Sequence, residues 1–392
     1  MPELFSLKPP EEARNLLLGH CARPLKTEAV PVRRALGRVV VGQITSSESL
    51  PSFTRSTMDG YAVRAADTYG ASEALPAYVA IVGEVKMGEK PNIDIKTGEA
   101  VIMHTGGMLP ENADAVVMVE RTQKATEHEI EVLKPVAEGE NIIRIGDDVR
   151  SGDVIFEPGH RLRPQDIGGL IAVGITEVEV AVQPNVAILS TGDELVSPDS
   201  TPKPGQVRDV NSYTISSLVE EAGGGPIPYG IIQDQFDIIQ EAAYKALEEA
   251  DVLVISAGSS VSFRDLTARI IASLGDPGVL VHGVALKPGK PTILGLCDGK
   301  AVIGLPGNPV SALIASRLFL IPLLRRLQGM LSSPLPRLLQ ARLTHNIASS
   351  PGREDYIPVK LLQTGNSYEA HPVFGKSNLI YTLIHSHGLV TI

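Results

Sequence analysis

The chain has 392 residues, which is too long for one hydrophobic core, so we expect two to four domains. Its formal net charge of −10 and its lack of tryptophan argue against nucleic acid or an anionic membrane as the main partner. Cys21 and Cys297 lie far apart and form no CxxC motif, which disfavours a disulfide framework or a cysteine zinc site. This cysteine usage fits a reducing cytoplasm, which is the expected compartment. The first residues also lack the apolar core of a signal peptide.

The N-terminal part predicts helix. Residues 3–20 have helical spacing, with Pro9 and Pro10 near the start, where proline is tolerated. The stretch VRRALGRVV, residues 32–40, predicts a second helical piece. A polar, turn-rich region follows.

The stretch PSFTRSTMDGYAVRAAD, residues 51–67, contains a turn at Asp59-Gly60 after a series of hydroxyl side chains. Such a segment can be a ligand loop. On spacing alone a β-hairpin with solvated hydroxyls is favoured, because Asp-Gly turns are common there.

Residues 77–135 predict a small all-β domain, since short alternating runs are separated by Gly, Pro and charged residues. Thr105-Gly106-Gly107 falls at a strand end, where its N–H groups and hydroxyl could bind an oxyanion. Further on, Asp147, Asp148 and Asp153 lie on glycine turns, and most acids in such turns are solvated caps.

From about Gln183 to Met330, strands alternate with helices, which predicts a doubly wound parallel sheet. Asn211 is the expected N-cap of one helix, and Gly223 its stop. The segment LVHGVALKPGKPTILG is expected to form a hairpin. After a Pro/Ser-rich linker, residues 338–392 alternate as a small β-domain does.

Four acidic positions follow strand ends or glycine turns of the doubly wound domain: Asp193, Glu194, Asp234 and Asp265, the last at a helix start. The carboxyl ends of parallel strands share one edge, so these acids can meet there. A divalent cation such as Mg²⁺, or a cationic substrate group, would relieve their repulsion. Each acid could instead be a structural cap.

Positive charge and a phosphate-like turn lie in the same region. Lys287 and Lys290 can add positive charge for an anion, although solvated lysines are the usual case. In LPGNPVS, Gly307 permits close approach and the helix beginning near Pro309 would direct its N–H groups at a ligand. The sequence therefore predicts a phosphate-bearing ligand. It has no GxxxxGK[ST], HExxH or GxSxG motif, which disfavours P-loop ATPases, zinc proteases and serine hydrolases.

Six motifs in order along nearly the whole chain resemble the MoeA family, the molybdopterin molybdenumtransferases related to the E-domain of gephyrin. They are PSFTRSTMDGYAV, HTGGMLPENADAVVMVE, STGDEL, DVLVISAGSSVSFRDLT, LKPGKP and GLPGNPVSA.

The resemblance implies an α/β multidomain fold. We expect a discontinuous α+β linker domain over 1–45 and 145–182 and a small β-rich domain over 46–144. A doubly wound, MogA/MoaB-like parallel sheet domain that binds molybdopterin is expected over 183–330, and a C-terminal β-domain over 331–392.

The activity implied is insertion of molybdate into adenylylated molybdopterin, which releases AMP, gives molybdenum cofactor and requires Mg²⁺ or a similar divalent cation. The family forms homodimers whose active cleft lies between the doubly wound domain of one protomer and the small β-domain of the other. Other proteins of molybdenum cofactor biosynthesis are possible partners. Two alternatives stay open: an adenylyltransferase that makes the adenylylated pterin, and a binding or scaffold protein without turnover.

The resemblance also implies a set of site residues. The catalytic candidates are Asp59, Thr105, Asp148, Glu194, Asp234, Asp265, Lys287 and Lys290. The substrate-binding candidates are Ser256, Gly258, Ser259, Pro306, Gly307, Asn308 and Pro309. The metal candidates are Glu194 and Asp234. The chain departs from many relatives at Ala257 and Ser262, which replace glycines, and at His282-Gly283, where many have a basic residue.

Overall fold

The computed structural model describes residues 7–21, 24–257, 261–330 and 338–392, with only the backbone for 261–264. The predicted site residues Gly258 and Ser259 lie outside the described residues. No helix in the described part of the chain is long and apolar enough to cross a lipid bilayer.

The chain divides into two compact units. The first unit comprises Met1–Gly42, Pro158–Arg163 and Glu177–Ile392, and the second comprises Gln43–Glu157 and Pro164–Thr176. The finer division into four domains stays a prediction.

Helix α1 (Pro10–His20) opens the described chain, with Pro10 at its first position, and strand β1 (Thr27–Pro31) follows. The predicted second helix is only a 3₁₀ turn, Val32–Arg34. Ala35 caps this turn. Gly37 then keeps the chain from continuing as a helix, because its φ of 76° is left-handed and its N–H donates to the carbonyl of Leu162 at 2.8 Å.

The second unit is mostly β. Its elements are β2 (Ile44–Thr45), β3 (Arg55–Ser56), β4 (Gly60–Val63), β5 (Ala77–Glu84), β6 (Glu99–Met103), β7 (Ala115–Met118), β8 (Thr122–Lys124), β9 (Glu129–Val132), β10 (Ile142–Ile143), β11 (Val154–Phe156) and helix α2 (Pro164–Ala172). Six strands form one sheet in the order β7-β4-β6-β5-β9-β8. Its core includes Val79, Val117 and Ile130. Strands β5 to β9 confirm the β prediction for residues 77–135, apart from a 3₁₀ turn at Val119–Arg121.

The favoured hairpin at Asp59-Gly60 is wrong. Strand β3 pairs with β10, whereas β4 lies between β6 and β7. The chain turns at Asp59 from one pairing partner to another, because the buried β4 segment is an interior strand of the sheet.

The remaining elements belong to the first unit. They are β12 (Glu177–Ala181), β13 (Asn185–Thr191), β14 (Leu195–Val196), β15 (Val207–Arg208), α3 (Asn211–Glu221), β16 (Gly225–Ile232), α4 (Phe236–Glu249), β17 (Val252–Ala257), α5 (Val261–Ser273), β18 (Pro277–His282), β19 (Leu286–Lys287), β20 (Ile293–Cys297), β21 (Lys300–Pro306), α6 (Pro309–Ala315), α7 (Ile321–Leu327), β22 (Arg342–Leu343), β23 (Glu354–Thr364), β24 (Ser367–Pro372), α8 (Tyr381–Ile384) and β25 (Gly388–Thr391).

A six-stranded sheet is the centre of the first unit, in the order β16-β13-β17-β21-β20-β18. The first four strands are parallel, and β20 and β18 extend them as the predicted antiparallel hairpin. Alternate residues serve opposite faces: Val186 and Ile188 pack with Phe319 in one core, while Ala187 and Leu189 belong to the other. Helices on both faces make the sheet doubly wound.

Helix α3 starts differently from its prediction. Asn211 is the first helical residue and not the N-cap. The carboxylate of Asp209 accepts hydrogen bonds from the Ser212 N–H at 3.2 Å and hydroxyl at 2.6 Å, so it serves the capping role instead. Gly223, with a φ of 83°, follows the helix end as expected.

The C-terminal strands form a sheet that includes a segment from the doubly wound region. The order is β19-β23-β24-β22, with β25 also pairing with β23. Strand β19 lies parallel to β23, with Leu286 opposite Glu354 and Lys287 opposite Asp355. The backbone beside the predicted lysine site is thus tied to the C-terminal strands.

Candidate functional site at the carboxyl edge of the sheet

Three acidic residues meet where β13 and β16 end. These strands are neighbours, so the turn after each reaches the same edge. The Asp193 N–H donates to Asp234 Oδ2 at 3.2 Å. The carboxylate of Glu194 folds over Gly192, where an added Cβ would lie 2.8 Å from Glu194 Oε2. A side chain at position 192 would therefore displace this carboxylate.

Within this cluster, the carboxyl of Asp234 has a raised pKa. Burial is the main cause that raises the pKa of its carboxyl, and the nearby charges of Asp193 and Glu194 raise it further; hydrogen bonds from the Asp193 backbone and the Thr191 side chain act in the opposite direction. Its Oδ1 is buried and has no hydrogen-bond partner in the described part of the chain. A cation placed here would satisfy that oxygen and relieve the repulsion.

The cluster does not amount to a complete metal site. Among the described residues, no group of three or more His, Cys, Asp or Glu side chains is arranged to hold a metal ion. Glu194 and Asp234 can supply two carboxylates, which fits Mg²⁺, because that ion commonly keeps waters and phosphate oxygens as its other ligands. The donor chemistry thus fits Mg²⁺ as a partly protein-bound ion.

Asn211 joins three elements at this edge and was not predicted to do so. Its Nδ2 donates to Ser256 Oγ at 2.8 Å and to the Gly307 carbonyl at 2.9 Å. The residue is 6% exposed. It therefore ties the start of α3 to the end of β17 and to the turn after β21. The hydroxyl of Ser256, predicted to bind substrate, is buried and engaged in this contact.

Strand β21 ends at Pro306, and after Gly307 the residue Asn308 takes the N-cap position of α6, with Pro309 at the first helical position. Asn308 Nδ2 donates to Ser377 Oγ at 3.0 Å, and the Val310 N–H donates to the Ser377 carbonyl at 3.1 Å. Pro309 has no N–H to offer. The expected anion site at this helix start is thus partly occupied by the C-terminal strands' own loop, while the turn itself is held rigidly.

The two lysines of the KPGK segment differ. Lys287 Nζ donates to Asp355 Oδ2 at 3.0 Å, and the side chain of Asp355 is 3% exposed. Lys290 is exposed, and no side chain in the described ranges pairs with it. Lys287 lies beside a cavity of about 610 Å³, whose lining also includes Asn308, Asp355, Phe374, Lys376 and Ser377.

Asp265 lies on α5 but not in its first turn. The described part of the helix begins at Val261, so at least four helical residues precede Asp265, whose side chain is exposed. The prediction of a helix-start position is wrong, because the helix extends one turn further toward the end of β17 than its sequence pattern suggested. Of the two departures from the common pattern there, Ala257 is buried at the end of β17, and the side chain of Ser262 lies outside the description.

In the second unit, Asp59 and Thr105 form one local structure. Asp59 Oδ1 accepts hydrogen bonds from the Thr105 N–H at 2.7 Å and hydroxyl at 3.0 Å, and these bonds hold the pKa of the Asp59 carboxyl below its usual value. The Gly106 N–H donates to the Ser56 carbonyl, and the Gly107 N–H to the carbonyl of His104. The N–H groups predicted to bind an oxyanion are therefore engaged within the unit.

The acids on the nearby glycine turns separate into two kinds. Asp147 Oδ2 accepts from the Arg144 N–H at 2.7 Å, and Asp153 Oδ2 accepts from the Arg150 N–H at 2.9 Å, so both are turn caps. Asp148 is exposed, and its own N–H donates to the Leu50 carbonyl. Its carboxylate is the one of the three that the caps do not use.

Comparison with known proteins covers almost the whole chain. The family descriptions "MoeA N-terminal region (domain I and II)", "Probable molybdopterin binding domain" and "MoeA C-terminal region (domain IV)" match residues 8–174, 187–326 and 340–392.

Two relatives are named molybdopterin molybdenumtransferase. One, from Haemophilus influenzae, is 34% identical over 88% of this chain and 84% of its own length. The other, from Nostoc sp., is 32% identical over 89% and 80%. A crystal structure titled as a molybdopterin biosynthesis MoeA protein from Pyrococcus horikoshii OT3 is 34% identical, covers 99% of this chain and 95% of that chain, and has a TM-score of 0.85. The chain belongs to the MoeA family.

Proposed function

We propose that this chain is a molybdopterin molybdenumtransferase, which inserts molybdate into adenylylated molybdopterin and releases AMP. The names of its relatives support this activity. The single structural observation that carries it is the acidic cluster at the ends of β13 and β16, in which the buried Oδ1 of Asp234 has no hydrogen-bond partner among the described residues. Such a cluster suits a reaction in which a cation accompanies an anionic substrate.

Glu194 and Asp234 are the residues that would hold Mg²⁺. The ion would supply positive charge to the oxygens of the phosphoanhydride as the AMP group leaves. Asp234 contributes a fixed, partly desolvated carboxylate, and the Asp193 N–H orients it through Oδ2. That orientation leaves Oδ1 for the ion. Asp265, further along the same edge, would contact the ribose or a phosphate.

The anionic part of the substrate is handled by the KPGK segment and the turn after β21. Lys290 provides an exposed ammonium that can approach a phosphate or molybdate oxygen, and Lys287 provides a second one. Pro306 and Pro309 make the turn rigid on either side of Gly307 and so shape the floor of the site. A rigid floor lowers the entropy lost when the substrate is oriented.

We further propose that the protein works as a homodimer in the cytoplasm, with Asp59, Thr105 and Asp148 of one protomer completing the site of the other. The Asp59–Thr105 contact supports a preformed loop, because one carboxylate oxygen holds both the N–H and the hydroxyl of Thr105. Neither of these two bonds uses Asp59 Oδ2, which can therefore contact a ligand or a partner group.

The test is to mix the purified protein with adenylylated molybdopterin, molybdate and Mg²⁺ and to measure AMP. We expect AMP release that requires both molybdate and the divalent ion, and that Asp234→Asn lowers strongly. Asp237→Asn, an exposed acid on α4, is the matched control. No AMP above the protein-free blank would refute the proposal. ATP consumption with molybdopterin alone would identify an adenylyltransferase instead, and tight pterin binding without AMP would identify a binding protein.

A further inference from the structure

The C-terminal strands hold the KPGK segment from outside the doubly wound sheet. Lys287 lies opposite Asp355 in the parallel pairing of β19 with β23, and the Glu354 N–H donates to the Ala285 carbonyl at 2.9 Å. The backbone that presents Lys287 is therefore an edge strand of the C-terminal sheet. Its position depends on residues about seventy places further along the chain.

The backbone of Asp355 is also hydrogen-bonded to Ile392, near the end of the chain. Its N–H donates to the Ile392 carbonyl, its carbonyl accepts from the Ile392 N–H, and both bonds measure 3.0 Å. Its side chain is 3% exposed, and Oδ2 receives the ammonium of Lys287. Oδ1 is buried, with no hydrogen-bond partner in the described ranges. Loss of the Lys287 contact would leave an uncompensated buried charge on Asp355, so the contact is costly to break.

Lys287 is nevertheless only half withdrawn from solvent. Its side chain is 50% exposed at the rim of the 610 Å³ cavity, so an ammonium hydrogen not used by Asp355 can still reach a ligand. A free lysine loses much rotamer entropy when it orders around a ligand. The contact with Asp355 orders Lys287 before any ligand arrives, whereas Lys290, three residues on, has no such contact among the described residues.

We propose that Asp355 is a positioning residue for the transfer reaction: it presents the Lys287 ammonium in a fixed place to an oxygen of the substrate's pyrophosphate linkage. This inference rests on the proposed function for the identity of the substrate. It assigns different roles to the two lysines of the KPGK segment: Lys287 is a preorganised contact, whereas Lys290 is ordered only when a ligand binds. Preorganised charge is the more effective kind in catalysis, because it needs no rearrangement during the reaction.

The test is a double-mutant cycle on Lys287→Met and Asp355→Asn, with inorganic pyrophosphate binding measured by calorimetry and AMP release measured beside it. We expect Asp355→Asn to weaken pyrophosphate binding and to lower turnover by about tenfold each in the wild-type background. In the Lys287→Met background the same change should alter both by less than twofold. Asp355→Glu should restore part of the loss, and Glu354→Gln, on the same strand, should change neither quantity.

A purely electrostatic role for Asp355 predicts the opposite change in pyrophosphate binding, so the double-mutant cycle distinguishes the two explanations. If Asp355 only neutralised Lys287, removing its negative charge would tighten pyrophosphate binding. Tighter or unchanged binding, equal losses in both backgrounds, or no pyrophosphate binding by the wild-type protein would each overturn the inference. The expected binding cycle without any AMP release would support the positioning of Lys287 by Asp355 toward a pyrophosphate group and refute the proposed function. AMP release by the wild-type protein, with pyrophosphate binding and turnover unchanged in Asp355→Asn, would refute the inference and leave the proposed function standing.

Discussion

The Lys287–Asp355 pair makes a quantitative prediction about stability that does not depend on the reaction. Lys287→Met removes the cation that contacts a carboxylate whose side chain is 3% exposed. Breaking a buried ion pair from one side costs about 3–5 kcal/mol. Because half of the Lys287 side chain is already in water, we expect the lower end, about 3 kcal/mol, for opening of the strands that hold Asp355.

The assay is hydrogen exchange measured by mass spectrometry on peptides from β23 and β25. About 3 kcal/mol corresponds to roughly a hundredfold loss of protection where these strands open together. Lys290→Met, in the same turn but exposed, should change protection by less than about threefold, since surface substitutions usually stay within about 0.5 kcal/mol. Adding Asp355→Asn to Lys287→Met should recover protection, because the uncompensated buried charge is then gone. Equal effects of the two lysine substitutions would refute the reasoning.

Three further predictions concern single residues. Burial gives Asp234 a raised pKa, so the folded state binds its proton more tightly than the unfolded chain does; Asp234→Asn should therefore raise the calorimetric unfolding temperature at pH 7, and this advantage should shrink as the pH falls from the raised pKa toward the ordinary carboxyl value and be absent below it. Asn211→Ala should lower the free energy of unfolding by about 2 kcal/mol, since two buried hydrogen bonds are lost, and a calorimetric change below about 0.5 kcal/mol would contradict this. Gly60→Ala should destabilise the second unit by about 3 kcal/mol, because the new Cβ would meet the Val117 carbonyl oxygen at 2.0 Å, whereas Gly42→Ala, with nothing within 4 Å, should be nearly neutral in the same chemical denaturation.

The sequence was sufficient for the doubly wound sheet because its parallel strands are buried on both faces. Continuous apolar runs such as those of β17 and β21 are typical of such strands, and their helices show ordinary periodicity. Predictions from the local sequence were wrong where a residue's partner lies far away in the chain. The turn at Asp59 looked like a hairpin, since nothing nearby indicates that β4 pairs with β6 and β7.

The same limit applies to the candidate site. The acids at the strand ends could be brought together by reasoning, because topology alone puts the ends of neighbouring parallel strands at one edge. The hydrogen-bond partners of the predicted ligand-binding groups could not be identified from the sequence, because they are distant in the chain. Asp59 lies 46 residues from Thr105, and Asp355 lies 68 residues from Lys287. Asn211 looked like a cap because an asparagine before a helix usually is one. Its role as a link between three elements becomes visible only in the folded chain.

The central claim is that one protein couples molybdenum insertion to loss of AMP. The most direct measurement is the ratio of molybdenum bound to pterin, by elemental mass spectrometry, to AMP released in a single turnover with adenylylated molybdopterin, molybdate and Mg²⁺. We predict a ratio of one and a parallel fall of both quantities in Asp234→Asn. AMP released at the same rate when molybdate is omitted, or molybdenum bound without AMP, would contradict it.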